Sequence, residues 1–210
     1  MDLAETLRAA GVVPVLTIRR TADAVPLARA LLAGGLSVLE VTLRTEAALA
    51  AIRSIRAEVP GVIVGAGTLT RPADFAAVEA AGARFAVSPG CTPELAEAAG
   101  AHPEITYLPG VATASEVMVA GVAGFECLKF FPAEAAGGIA ALKALAGPFP
   151  EVRFCPTGGI GAGNAADYLA LPNVVAVGGS WPAPEAAIQA GDWPQITRLA
   201  AAARRLGSAN

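Results

Sequence analysis

Histidine is almost missing from this chain: His102 is the only one among 210 residues, and it stands directly before Pro103. A histidine-built metal site or a Ser-His-Asp relay is therefore hard to assemble. Cysteine is nearly as scarce. Cys91, Cys127 and Cys155 form no C-x-x-C pair and leave one over in any pairing, which supports neither a disulfide framework nor a thiolate zinc site. No apolar run approaches the roughly 18 residues of a membrane span. The start, Met1-Asp2-Leu3-Ala4-Glu5, carries acids where a secretory signal needs basic residues. Charged residues make up only 16%, the net charge is -3, and the arginines are scattered, so there is no basic footprint for nucleic acid. The expectation is a cytoplasmic protein with neither a membrane nor a nucleic-acid partner.

What is present is apolar and repetitive. Hydrophobic residues reach 54%, much of it alanine in segments of helical period that alternate with short β-branched runs. Strand candidates are Val12 to Thr17, Ser37 to Leu43, Val62 to Gly67, Arg84 to Val87, Ile105 to Leu108, Phe125 to Lys129, Val152 to Cys155 and Val174 to Gly178. A helical segment follows each strand, the seventh running from Ala162 to Ala170 and the last from Pro194 to Leu206, and Leu3 to Ala10 forms a further N-terminal helix. Repeats spaced by roughly 20 to 27 residues fit a single (β/α)8 TIM barrel spanning residues 1–210, with the first helix covering its bottom. A doubly wound open sheet fits less well. Its glycine-rich loop follows the first strand, whereas here the glycine clusters come late, and neither G-x-G-x-x-G nor G-x-x-x-x-G-K-[ST] occurs.

Catalytic groups of a barrel lie where strands end. Lys129, one of two lysines, closes an apolar run and precedes Phe130, Phe131 and Pro132. Burial disfavours the ammonium form, and a neutral amine attacks a carbonyl carbon. In Val38-Leu39-Glu40-Val41-Thr42-Leu43-Arg44, the polar residues Glu40, Thr42 and Arg44 recur at period two and share one face, leaving Leu39, Val41 and Leu43 to pack beneath helices. A structural ion pair is the alternative reading of Glu40 and Arg44. Thr68 follows Gly65-Ala66-Gly67, and Pro89 sits in the turn Ser88-Pro89-Gly90. After the seventh and eighth strands come Pro156-Thr157-Gly158-Gly159 and Gly178-Gly179-Ser180, where bare backbone can aim N–H groups at a phosphate. Lys143 reads as solvated, Met118 as core, Trp193 and Tyr168 as packing, Trp181 as a site wall or a cap on the core, and Cys127 as a small filler beneath Lys129.

These motifs together resemble the 2-keto-3-deoxy-6-phosphogluconate (KDPG) and 4-hydroxy-2-oxoglutarate (KHG) aldolases: Leu39-Glu40-Val41-Thr42-Leu43-Arg44-Thr45, Gly65-Ala66-Gly67-Thr68, Ser88-Pro89-Gly90, Lys129-Phe130-Phe131-Pro132-Ala133-Glu134, Arg153-Phe154-Cys155-Pro156-Thr157-Gly158-Gly159 and Gly178-Gly179-Ser180-Trp181. The resemblance runs from about Val12 to beyond Trp181. It implies a class I aldolase of carbohydrate metabolism, in the Entner–Doudoroff cleavage step, with no metal and no cofactor, assembled as a homotrimer. By the same resemblance Lys129 is the Schiff-base lysine and Glu40 the general acid/base. Arg44, Thr68 and Pro89 surround the pyruvate part of the substrate, Phe131 packs beside the imine, and Gly158, Gly159 and Ser180 bind phosphate. Gly161-Ala162-Gly163-Asn164 departs from the Ser-Pro-x-Asn of many relatives. The galactonate-series aldolase, a phosphate-binding barrel without imine chemistry, and a trimeric scaffold remain as alternatives.

Overall fold

The computed structural model describes residues 2–207. The first half of the chain runs α1 (Leu3–Ala10), β1 (Val12–Leu16), α2 (Thr21–Ala33), β2 (Val38–Thr42), α3 (Ala48–Glu58), β3 (Ile63–Gly67), α4 (Ala73–Ala80) and β4 (Phe85–Val87). The second half continues with α5 (Pro93–Ala101), β5 (Thr106–Leu108), β6 (Gly110–Val111), α6 (Ala114–Val122), β7 (Cys127–Phe130) and α7 (Gly138–Ala146). It ends with β8 (Arg153–Pro156), α8 (Ala165–Leu169), β9 (Val177–Gly179), α9 (Glu185–Ala190) and α10 (Trp193–Gly207). Several helix starts are written locally. The Asp2 carboxylate accepts the Glu5 N–H, Thr92 caps α5 ahead of Pro93, and Thr113 with Glu116 forms a capping box on α6, each satisfying N–H groups that the first turn leaves without partners.

The fold is α/β, with a curled parallel sheet of six strands in the order β5-β4-β3-β2-β1-β9 and a second parallel sheet β6-β7-β8. Single parallel bridges join Phe154 to Val174 and Thr157 to Gly178, between the β8 and β9 regions. Pro109 separates β5 from β6; having no N–H, it interrupts a ladder that the chain otherwise continues.

Alternation along the strands divides the core as the sequence requires. Val13, Val38, Phe85, Val87, Leu108 and Cys155 cluster with Leu3, Leu7 and Ala10 of α1, so the first helix covers the N-terminal end of the strands. Leu39, Val41, Val64, Ala66, Phe130 and Phe154 belong to the other cluster, packed with the helices. Each buried valine, leucine or phenylalanine among them contributes about 1.5–3 kcal/mol. The α1 cluster sits low in the strands, and its continuation toward their C-terminal ends is polar: above Val38 on the same face stand Glu40 and Thr42, both buried. Cys127 packs against this cluster. Burial pushes its thiol up to about 12 and the Cys155 thiol upward as well, so both are neutral fillers.

Four expectations need correction. Met118 is 61% exposed, not core, because Val117 and Ala120 carry the buried stripe of α6 and leave its neighbours facing out. Helix α9 escapes the sequence pattern, being six residues long between Pro184 and Gly191. Helix α8 starts at Ala165 rather than Ala162, since Asn164 is engaged with the preceding loop. The last strand shifts to Val177–Gly179, with Val174 left as a lone bridge. His102 is a half-buried C-cap of α5 whose Nδ1 lies 2.7 Å from the Glu79 carboxylate.

Candidate active site

Lys129 and Glu40 come from strands far apart in sequence and meet at the polar end of the interior. Lys129 lies on β7, in register with Gly110 and Cys155, and Glu40 lies on β2 in register with Val15 and Gly65. The Lys129 Nζ stands 3.4 Å from Glu40 Oε1, with side-chain exposures of 7% and 5%. A lone buried charge is costly, so each is tolerable there because of the other. The Phe131 ring centroid is 5.2 Å from Nζ. The partner of Glu40 is therefore Lys129 and not Arg44. Arg44 lies past the end of β2, exposed, and forms no ion pair among the described residues.

Glu40 owes its place to a glycine. A Cβ on Gly67 would lie 2.0 Å from Glu40 Oε1, and no real side chain fits that gap. Gly67→Ala is expected to displace the carboxylate, at about 1–3 kcal/mol of stability for overpacking and on the order of 100-fold in turnover, as a shift of about 1 Å in a reacting group costs. Steady-state kinetics beside thermal unfolding checks it, and unchanged turnover in a folded variant would contradict it. Directly after Gly67, Thr68 has φ +64, the positive-φ residue other than glycine among those described. Holding a threonine there costs of order 1–3 kcal/mol and is characteristic of functional positions. Pro89 is exposed at the end of β4. Its turn is fixed by Ser88, whose hydroxyl donates to Gly90 O at 2.6 Å and lies 2.6 Å from the Tyr107 hydroxyl.

A cavity of about 360 Å³ opens beside this pair, lined by Arg44, Phe131, Gly158, Gly159 and Ser180, along with Thr17, Thr157 and Glu185. Five of the nine residues expected at the site thus share one wall. Lys129 adjoins it through Phe131, with Glu40 reached through Lys129, while Thr68 and Pro89 stand at neighbouring strand ends outside its lining. Thr17 and Thr157 are lining residues that no sequence motif marks as site groups, although each directly follows an apolar strand. Gly158 and Gly159 have φ of +104 and +76. Thr157 N–H donates to Phe130 O at 2.9 Å and Gly161 N–H to Asn164 Oδ1 at 2.8 Å. Between them, the N–H groups of Gly159 and Ile160 have no partner among the described residues, while the Thr157–Gly178 bridge engages the backbone at Gly158. Consecutive free N–H groups on left-handed glycines form an anion-binding concavity. On the rim, the Glu185 carboxylate is held by Arg19 at 2.7 Å. No cluster of three or more metal-ligating side chains occurs among the described residues.

Against known proteins, the family model "KDPG and KHG aldolase" matches residues 3–199. The chain is 55% identical over 192 residues to the 2-dehydro-3-deoxy-phosphogluconate aldolase of Pseudomonas aeruginosa, covering 91% of this chain and 87% of that one. It is 54% identical over 198 residues to the KHG/KDPG aldolase of Escherichia coli, covering 94% and 92%. Among solved structures, the KDPG aldolase of Legionella pneumophila, with pyruvate captured at low pH as a covalent carbinolamine, superposes with a TM-score of 0.93 at 51% identity, covering 96% of this chain and 98% of that one. A match spanning nearly the whole chain in sequence and in backbone leaves one conclusion: the chain belongs to the KDPG and KHG aldolase family.

Proposed function

We propose that this chain is a class I aldolase that cleaves 2-keto-3-deoxy-6-phosphogluconate to pyruvate and glyceraldehyde 3-phosphate and also acts on 4-hydroxy-2-oxoglutarate. One observation carries the reading: a buried amine and a buried carboxylate 3.4 Å apart beside a glycine-walled cavity. At that separation a proton passes from Lys129 to Glu40, leaving the nitrogen lone pair free to add to the C2 ketone. Glu40 gives that proton to the carbinolamine hydroxyl, which leaves as water, so that a protonated imine remains and Glu40 is a carboxylate again. Glu40 then takes the proton of the C4 hydroxyl as the C3–C4 bond breaks; its electron pair moves into the enamine and C4 departs as the aldehyde. Glu40 returns a proton to C3, and water releases pyruvate and the free amine.

The other residues divide by charge and place. Arg44 holds the substrate carboxylate by charge-assisted hydrogen bonds, with Thr68 and Pro89 shaping the pyruvate end and Phe131 covering the imine. Gly158, Gly159 and Ser180 hold the phosphate, which the free N–H groups of Gly159 and Ile160 support. Ser180→Asp is expected to raise KM for the phosphorylated substrate on the order of tenfold or more by placing like charge at the anion, while KM for an unphosphorylated 2-keto acid changes little. Equal rises for both substrates would contradict the assignment.

The architecture belongs to the same reading. A single domain over residues 1–210, closed as a (β/α)8 barrel, is supported by the continuity of β5 into β6 and by the Phe154–Val174 and Thr157–Gly178 bridges. Homotrimeric assembly is the expectation of the family resemblance, and light scattering tests it. The function itself is tested by incubating the protein with pyruvate and borohydride and locating the adduct by peptide mass spectrometry. The expected label is on the Lys129 peptide; turnover without any trapped adduct would rule out imine chemistry.

A further inference from the structure

The buried polar group that the aldol steps leave unused is the phenol of Tyr168. The residue is 0% exposed on α8, yet its hydroxyl donates to Glu134 Oε1 in the loop between β7 and α7. Burial, reinforced by that carboxylate, pushes the phenol's pKa upward, so Tyr168 stays the proton donor. Neither side chain lines the cavity. Their contacts nonetheless converge on its anion loop. Glu134 N–H donates to Gly158 O at 3.1 Å, and Ala133 N–H to Thr157 O at 2.8 Å. The stem of Glu134 lies against Gly159, where an added Cβ would stand 2.5 Å from Glu134 Cγ and 2.7 Å from Cβ. On the far side, Asn164 Nδ2 donates to Gly159 O at 3.2 Å and Asn164 Oδ1 accepts the Gly161 N–H at 2.8 Å. The Gly158 and Gly159 carbonyls are thus tied down by Glu134 and Asn164, and the N–H groups of Gly159 and Ile160, both residues lining the cavity, are left without a partner among the described residues.

We propose that Tyr168 and Glu134 are a positioning pair that fixes the Gly158–Gly159 loop as an anion seat, and so sets preference for phosphate-bearing substrates without touching them. Tyr168 anchors the Glu134 side chain to α8; the anchored stem then holds Gly159 in its left-handed conformation through packing, and the Glu134 backbone holds Gly158. The inference rests on the proposed phosphorylated substrate. A seat that must be ordered on each binding event binds more weakly, because the ordering cost is subtracted from affinity.

Tyr168→Phe removes one oxygen and leaves the ring packing intact. It is expected to raise KM for the phosphorylated keto acid and the inhibition constant of inorganic phosphate by on the order of tenfold, as loss of a hydrogen bond to a charged group does. Turnover of unphosphorylated 4-hydroxy-2-oxoglutarate and borohydride trapping with pyruvate should stay within about twofold. Glu134→Ala should reproduce the split, whereas Glu134→Gln, which keeps an acceptor for the phenol, should restore most of the affinity. Equal losses on both substrates, or no change in either, would overturn the pair's role. If the unaltered protein itself shows no phosphate preference and no inhibition by phosphate, the substrate reading fails instead, so the two failures are separable.

Discussion

A Lys129→Ala variant is expected to lose pyruvate trapping by borohydride completely and to lose turnover by on the order of 10⁴-fold or more. The amine is the only group in this site able to make the electron sink that C3–C4 cleavage requires, and neither Glu40 nor Arg44 can replace it. The expectation includes a stability effect. Glu40 is 4% exposed, and removing its partner leaves an uncompensated buried carboxylate, at about 3–5 kcal/mol. Lys129→Met, which keeps most of the stem volume, should therefore be compared by circular dichroism and thermal unfolding. A folded Lys129→Met protein with no adduct separates lost chemistry from lost structure. Turnover above a few per cent in that variant would exclude the covalent route.

Glu40→Gln should divide the reaction at a different point. The amide keeps the shape of the carboxylate beside Gly67 but neither takes nor returns a proton, so kcat should fall by roughly 10²–10⁴-fold, the range for a positioned acid/base. Trapping with pyruvate should persist, more slowly, because the amine loses the carboxylate that takes its proton but can still pass it to water. Single-turnover kinetics with the cleavable substrate should show imine accumulating ahead of aldehyde release. If trapping vanishes together with turnover in a folded variant, Glu40 would be indispensable to freeing the amine, and the lost turnover would no longer place it in C3–C4 cleavage.

Much of this site is legible in the chain because it rests on local periodicity. Glu40, Thr42 and the apolar Leu39 and Val41 announce two faces of one strand. A lysine at the end of an apolar strand, and glycine pairs after the last strands, announce groups that water would ordinarily keep. Met118 shows the limit: in a helix built mainly of alanine, valine and glycine, several stripes are apolar enough to face inward, and only packing selects Val117 and Ala120. Helix α9 shows another, since six residues carry too few turns for a period to register. The engagement of Asn164 with Gly159 and Gly161 is likewise invisible, because it depends on a loop conformation that no residue spacing encodes.

By itself the sequence determined the alternation of strands and helices, the parity of each strand and the polar residues at the strand ends, since these follow from 2.0 and 3.6 residue repeats and from the cost of burying charge. The tertiary structure alone decided which of those ends meet. That Lys129 answers Glu40 rather than Arg44, with a gap beside Gly67 that only a hydrogen atom fills, is a matter of 3.4 Å across strands 89 residues apart. Such a distance is set by how the whole sheet curls and packs, not by any neighbour in the chain.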